Sequence, residues 1–210
     1  MDRPPPVLAY HLIWTAYGWW LPNDPRGSMS RTIRNDIIAE LGELHYGRKK
    51  VQPNSEKLKS FFRKTREVLK FPLLEFSEAE MIALGTAVSD CVSRHRYTCY
   101  ACAIMPDHVH ILIRRHRDRS EEMVVRLQEA TRLLIQRDHA ERWCGSPEEA
   151  HPVWGGPGWK VFLDHPQDIR RTIRYIEENP VKIHRPVQRW DFITPYDGWP
   201  FAGKTPPPVR

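Results

Sequence analysis

The sequence has no long apolar run: none of its 210 residues lies in a stretch approaching the roughly 18 consecutive apolar residues of a membrane-spanning helix. The prolines at 4–6, followed by Tyr10 and His11, occupy the position of a secretory apolar region, which argues against a signal peptide. Cysteine is scarce and clustered, which excludes a disulfide framework and predicts a cytoplasmic protein; the four are Cys91, Cys99, Cys102 and Cys144.

A glycine-rich phosphate-binding loop is also missing, so the sequence offers no site for a nucleoside triphosphate. What is present is a globular composition, with 40% hydrophobic and 28% charged residues. The net charge of +6 is a modest indication of a polyanionic partner and no more. The expected location is the cytoplasm, in association with the nucleoid. We expect a single domain over 1–201, with an insertion at about 18–75 and a disordered tail at 202–210.

The pattern of apolar residues and turn signals predicts four strands and three long helices. The strands are expected at 7–17, 97–104, 109–113 and 153–163, where β-branched and aromatic residues concentrate. A capping box of Ser77 and Glu80 starts the first helix, Ser120 caps a second that stops near Gly145, and a capping box of Asp164 and Gln167 starts a third that ends by 179. Without the insertion, the order is β-α-β-β-α-β plus a helix, which predicts an α+β fold of the ferredoxin-like (split βαβ) type.

The insertion carries a strongly basic run. Between Arg48 and Lys70 there are nine lysines and arginines against two glutamates. Such a run fits either a solvated helical face or a contact with nucleic acid. Three tryptophans near loops, Trp19, Trp20 and Trp159, are candidates for stacking on unpaired bases.

A pair of histidines is the first chemical signal. His108 and His110 flank Val109, and residues two apart on a strand point to the same face. Two neutral imidazoles on one face can hold a divalent cation and leave its other positions open. The alternative is a pair of surface histidines on an exposed strand.

The third helix carries the second signal. Its apolar stripe is Ile169, Ile173 and Ile176, and Tyr175 lies off this stripe, sharing a face with Asn179. Tyr175 can be an ordinary surface aromatic. Next to a two-histidine metal site, the Asn179 amide oxygen becomes a possible third ligand and the Tyr175 hydroxyl a nucleophile beside a Lewis acid.

Two segments together resemble a known family. MPDHVHILI at 105–113, followed by RYIEENPVK at 174–182, is similar to the HUH-type single-tyrosine transposases and closest to the REP-associated tyrosine transposases. The likeness covers 7–17 and 77–199. It implies a ferredoxin-like palm, a metal held by His108, His110 and Asn179, and Tyr175 as the catalytic residue.

The resemblance also implies a function, which is a metal-dependent single-stranded DNA strand transferase or nickase. Tyr175 would form a 5′-phosphotyrosine link and free a 3′-hydroxyl, with Mg²⁺ or Mn²⁺ as the cofactor. Single-stranded or hairpin DNA would be the partner, no membrane is involved, and a homodimer is one arrangement that the family allows. Arginines near the two motifs are candidates for holding the DNA backbone: Arg114, Arg115, Arg170, Arg171 and Arg174.

The cysteine pair is a second possible metal site. Cys99 and Cys102 form a Cys-x-x-Cys, but residues three apart on a regular strand face opposite ways, so we expect small core residues and no zinc site. His165 is expected at the surface.

The alternative function is a non-catalytic protein, derived from a transposase, that binds structured DNA or RNA.

Overall fold

We describe a computed structural model of the chain over residues 6–28, 30–33, 36–47, 49–138 and 150–202. Over these residues the strands are β1 (Ala9–Thr15), β2 (Cys99–Ile104), β3 (His108–Arg114) and β4 (Trp159–Leu163). The helices are α1 (Asp36–Ala39), α2 (Ser55–Val68), α3 (Glu78–His95), α4 (Ser120–Asp138), α5 (Pro166–Glu177) and α6 (Asn179–Lys182). The predicted end of the second helix near Gly145 and the tail from 203 onward lie outside these ranges.

The four strands form one antiparallel sheet in the order β2-β3-β1-β4. The first strand is central, and it pairs with β3 on one side and with β4 on the other. Two helical connections, α3 and α4, pack against each other and against one face of the sheet. This strand order and these connections confirm the predicted ferredoxin-like α+β fold.

The face under α3 and α4 holds the larger hydrophobic core. Leu12, Val109 and Ile111 point into it from the central strands, and Leu84 and Leu127 meet them from the helices. Each of these side chains is fully buried. The continuous burial of β3 from Val109 to Ile113 is the pattern expected of a strand that is covered on both sides.

The expectation that Cys99 and Cys102 face opposite sides of the strand was wrong. The pairing of β2 with β3 shifts register between Cys99 and Ala101, and this bulge adds one residue to the strand. Both thiols therefore enter the same core, under α3 and α4. Burial raises the pKa of both thiols well above the usual range, so they stay protonated and act as small core residues, as predicted.

The opposite face of the sheet is covered by α5. Ile169 and Ile176 of this helix are fully buried against Leu8, Ala9 and Leu112. At about 25 cal/mol per Å² of apolar surface, such contacts hold the helix firmly on the strands. The face that α5 covers is the one to which His108 and His110 point.

The start of α3 agrees with the sequence prediction, and the start of α5 differs from it. The capping box of Ser77 and Glu80 forms as predicted. The start of α5 differs, because its N-cap is the buried His165, whose Nδ1 accepts a hydrogen bond from the backbone N–H of Gln167. The predicted capping box at Asp164 and the predicted surface position of His165 were therefore wrong. An imidazole nitrogen satisfies the helical N–H in place of an oxygen.

The end of this helix agrees with the prediction that it stops by 179, but a further turn of helix follows it. The helix ends at Glu177, and a second short helix, α6, begins at Asn179 and runs through Pro180. Proline is tolerated there because the first turn of a helix has no intrahelical partner for its N–H groups. The turn between α5 and α6 places Asn179 and Lys182 close to Tyr175.

The insertion after β1 is folded onto the palm. Trp19 donates from its indole N–H to the Leu74 carbonyl at 2.7 Å, and its ring packs 4.8 Å from that of Phe62 on α2. Gly18 has a positive φ of 82° and lies so close to Leu69 and Leu73 that a Cβ would overlap them. These contacts fix α2 against the loop that follows β1.

The segment after α6 runs along the free edge of β2. Gln188 both accepts from the Ile104 N–H and donates to its carbonyl, and the Thr194 N–H donates to the Cys99 carbonyl. The exposed edge of the sheet is thereby partly satisfied. None of the helices in the described ranges is long and apolar enough to cross a membrane.

Candidate active site

The two motif histidines lie side by side on β3. Their rings are 4.8 Å apart, and Val109 between them enters the opposite core, so the prediction that they share a face is confirmed. His108 is half-buried and His110 is buried. The expectation of two surface histidines therefore does not hold for His110.

A third histidine, which sequence reasoning missed, supports His110. His11 on β1 lies 2.9 Å from His110, measured from His11 Nε2 to His110 Nδ1. Burial lowers the pKa of His11 to about 4. Burial also lowers the pKa of His110 well below its usual range, and the positive charges that His108, His11 and Lys182 can carry add to this effect. Both rings are consequently neutral at pH 7.

The hydrogen bond between these rings sets the orientation of His110. If His110 Nδ1 carries the proton and donates to His11 Nε2, then His110 Nε2 is left with its lone pair. The only sequence signal for His11 is a polar residue in an otherwise apolar strand. Its partner is 99 residues away, so the contact depends on the pairing of β1 with β3.

His108 is held by the residue that precedes it. Its Nδ1 lies 2.6 Å from the Asp107 carboxylate oxygen Oδ1. Burial of Asp107 would raise its pKa, but the hydrogen bond and charge of His108, with the charge of Arg26, outweigh burial and lower it. The carboxylate form of Asp107 thus accepts from His108 Nδ1–H, so in the neutral form of the His108 ring the lone pair is on Nε2.

Tyr175 meets this cluster from α5. Its ring lies 5.5 Å from the His110 ring and 6.1 Å from the His11 ring, both in edge-to-face orientation. The side chain of Tyr175 is 38% exposed, so its hydroxyl group can be approached from solvent. The Lys182 ammonium lies 4.3 Å from the centre of the tyrosine ring, a cation–π distance. Lys182 is a second neighbour that the sequence patterns did not single out.

Asn179 is buried below Tyr175. Its side-chain Nδ2 donates to the Tyr175 carbonyl at 2.9 Å, which turns the amide oxygen away from that carbonyl. The amide is thus fixed in orientation by the helix that carries the tyrosine. Asn179 and Tyr175 are therefore neighbours, as predicted, through a hydrogen bond from the Asn179 side chain to the Tyr175 backbone carbonyl.

The donor set suits a divalent cation with nitrogen and oxygen ligands. The Nδ1 atom of each motif histidine is in a hydrogen bond to a neighbour, and a histidine that ligates a metal through Nε2 usually donates from Nδ1 in this way. In the part of the chain that is described, no group of three His, Cys, Asp or Glu side chains has the arrangement of a metal site. A third protein ligand of another type, such as the Asn179 amide oxygen, is consistent with this finding.

The five predicted DNA-binding arginines are spread over a longer surface. Arg114 lies at the far end of β3, six residues or about 20 Å from His108, and its guanidinium stacks 3.9 Å from the Trp199 ring. Arg170 lies 5.4 Å from the Tyr196 ring.

The other three predicted arginines are all exposed: Arg115, Arg171 and Arg174. Of these, Arg171 is paired with Asp168 at 3.2 Å, and Arg174 directly precedes Tyr175. The structure therefore groups Arg114 and Arg170 with the aromatic rings of the C-terminal segment, away from His108.

Comparison with solved structures finds several matches. One is a REP-associated tyrosine transposase bound to a REP hairpin; it is 11% identical, with a TM-score of 0.44 over 87% of this chain and 73% of that chain. Another is a candidate transposase from Deinococcus radiodurans R1; it is 12% identical, with a TM-score of 0.40 over 89% of this chain and 98% of that one. No protein-family model and no curated protein matches the sequence.

Proposed function

We propose that this protein is a metal-dependent strand transferase or nickase of the single-tyrosine transposase type, acting on single-stranded DNA. The observation that carries the proposal is the meeting of Tyr175 with the buried histidine cluster, with its ring 5.5 Å from that of His110. An accessible phenol beside two oriented imidazoles provides a nucleophile next to a cation site.

In the proposed reaction the Tyr175 hydroxyl oxygen attacks the scissile phosphorus, and the bond from phosphorus to the 3′-oxygen breaks. The tyrosine gives up its proton, the departing 3′-oxygen takes one up, and the 5′-phosphate stays on the tyrosine. The Lys182 ammonium, over the tyrosine ring, favours the negative charge that develops on the phenol oxygen. Attack by a 3′-hydroxyl on the phosphotyrosine rejoins the strand without a triphosphate.

His108, His110 and Asn179 would hold the cation, Mg²⁺ or Mn²⁺. When bound, it would supply Lewis-acid chemistry by neutralising charge on the scissile phosphate. Asp107 and His11 are positioning residues, because each holds Nδ1 of a motif histidine and thereby directs Nε2 to the site. Hairpin DNA with a single-stranded flank is the partner we propose.

The test is the formation of a covalent adduct. The protein is incubated with labelled hairpin DNA and Mg²⁺ or Mn²⁺, and the products are separated under denaturing conditions. We expect a labelled band at the mass of protein plus DNA that is absent with EDTA and absent for Tyr175→Phe. Tyr46→Phe removes the hydroxyl of another exposed tyrosine and should leave the adduct at the wild-type level.

Two outcomes would contradict the proposal. An adduct that survives in Tyr175→Phe would exclude this tyrosine as the nucleophile. Tight binding of hairpin DNA with no adduct under any metal or substrate would instead favour the alternative, a non-catalytic nucleic-acid-binding protein. The stacking of Arg114 on Trp199 and of Arg170 near Tyr196 would then be the feature to test, since such surfaces bind unpaired bases.

A further inference from the structure

The insertion contributes a helix with one buried and one basic face. On α2, Phe61 and Thr65 are buried and face the palm. At 100° per residue, Lys59, Arg63 and Arg66 fall within about 60° of one another and about 120–180° from the centre of the buried face. We call these three residues the α2 basic stripe. All three side chains are exposed.

The α2 basic stripe forms no ion pair within the described part of the chain. Among the described residues, no carboxylate lies within ion-pairing distance of Lys59, Arg63 or Arg66. Holding three like charges along one helix face is unfavourable unless a partner or solvent screens them. If these cations only kept the helix surface hydrated, they would not need to lie on one face of the helix.

The spacing of the α2 basic stripe suits a phosphodiester backbone. From Lys59 to Arg66 the helix rises about 10 Å, at 1.5 Å per residue. One DNA strand presents a phosphate about every 3.4 Å of duplex axis, so the stripe can follow about three phosphates. Arg66 also lines a cavity of ≈ 590 Å³ past the end of the helix, together with Lys70, Glu75 and apolar residues.

The helix that carries the stripe is linked to the candidate active site through Phe62 and Arg26. The Phe62 ring on α2 lies 5.2 Å from the Arg26 guanidinium, which is also paired with Asp24. Arg26 is close enough to Asp107 for its charge to favour the carboxylate that holds His108. A strand bound on α2 would therefore be held by a helix that packs against Arg26, whose charge acts on Asp107.

We propose that the α2 basic stripe is a second binding surface, which holds the DNA backbone away from the reacting nucleotide. The choice of DNA as the occupant rests on the proposed function. The surface itself rests on charge complementarity: three unpaired cations on one exposed helix face meet a regular row of negative charge. Its role is to add affinity that does not depend on base sequence.

The experiment compares two variants with the same loss of charge on the same helix. Arg63→Gln/Arg66→Gln removes two charges from the stripe, whereas Lys57→Gln/Lys64→Gln removes two exposed charges from another face of α2. Binding to a fluorescein-labelled DNA hairpin with a single-stranded tail is measured by anisotropy between 50 and 200 mM salt, without a divalent metal. Urea denaturation of each variant checks that the fold is kept.

For single strands each neutralised phosphate adds about 0.7 to the log–log salt slope. We expect the stripe variant to lower the slope by about 1.4, so the affinity advantage of the wild type shrinks about seven-fold between 50 and 200 mM salt. The control variant should keep the wild-type slope. Equal changes in both variants, or no change in the stripe variant, would overturn the proposal.

Two further arms separate this proposal from the proposed function. Because binding is measured without cleavage, a changed slope with no covalent adduct refutes only the catalytic assignment. A normal adduct with an unchanged slope refutes only the α2 basic stripe. An RNA hairpin of the same sequence is a second probe, and stripe-dependent binding to RNA alone would overturn the choice of DNA.

Discussion

Replacing Gly85 with alanine should destabilise this protein, although the same change stabilises most helices. Gly85 lies inside α3, where alanine is normally favoured over glycine by about 1 kcal/mol. Here a Cβ atom would stand 2.1, 2.5 and 2.9 Å from three carbons of the Trp190 ring. Ordinary contacts between such atoms begin near 3.4 Å, so the ring must move by about 1 Å or more.

The ring has little freedom to make this movement. Trp190 is rigid, half-buried and stacked at 5.9 Å on Phe192, and its segment is hydrogen-bonded to β2 through Gln188 and Thr194. Overpacking of this kind costs about 1–3 kcal/mol. After the gain of about 1 kcal/mol in helix propensity, we expect Gly85→Ala to lower the free energy of unfolding by up to about 2 kcal/mol.

The assay is urea denaturation followed by circular dichroism, for the wild type and for a background in which Trp190→Val makes room. In the Trp190→Val background the same Gly85→Ala change should be neutral or stabilising by up to about 1 kcal/mol. The reversal of sign between the two backgrounds is the signature of the contact. Stabilisation by Gly85→Ala in the wild type, or the same change in both backgrounds, would refute the reasoning.

Two local features give further predictions. The pKa of His11 is about 4 in the folded chain and about 6.5 when unfolded, so the unfolded state binds the proton first and stability falls as the pH drops below 6.5. From pH 7.5 to 5 this costs about 2 kcal/mol, seen as a lower urea midpoint, and a flat profile would contradict it. Ser77→Ala, which opens the capping box with Glu80, should cost about 1 kcal/mol, whereas exposed Ser93→Ala on the same helix should change little.

Much of the architecture could be predicted because its signals are local. The shared face of His108 and His110 follows from the alternation of side chains along any strand. The start of α3 follows from Ser77 and Glu80, which satisfy each other's backbone N–H groups within one turn. The sheet order then followed from the sequence of elements, since few topologies accommodate β-α-β-β-α-β.

Other local features were not predicted, because an irregular strand or an unusual cap is also possible at those positions and the local sequence does not distinguish it from the regular one. The bulge at Cys99 turns two cysteines to the same side, whereas a regular strand would separate them. The cap by His165 replaces the expected one at Asp164, since a buried imidazole can accept the same N–H. The basic run of the insertion was recognised, but whether α2 would present one basic face depended on which side is buried.

The sequence by itself therefore determined the ferredoxin-like fold, the shared face of His108 and His110, and the helix that carries Tyr175. The tertiary structure alone decided what surrounds them. His11 reaches His110 across 99 residues because β1 pairs with β3 in one register. The Lys182 ammonium reaches the Tyr175 ring because the chain turns between α5 and α6. These contacts depend on strand register and helix placement, which are set by the packing of the whole core and by no local pattern.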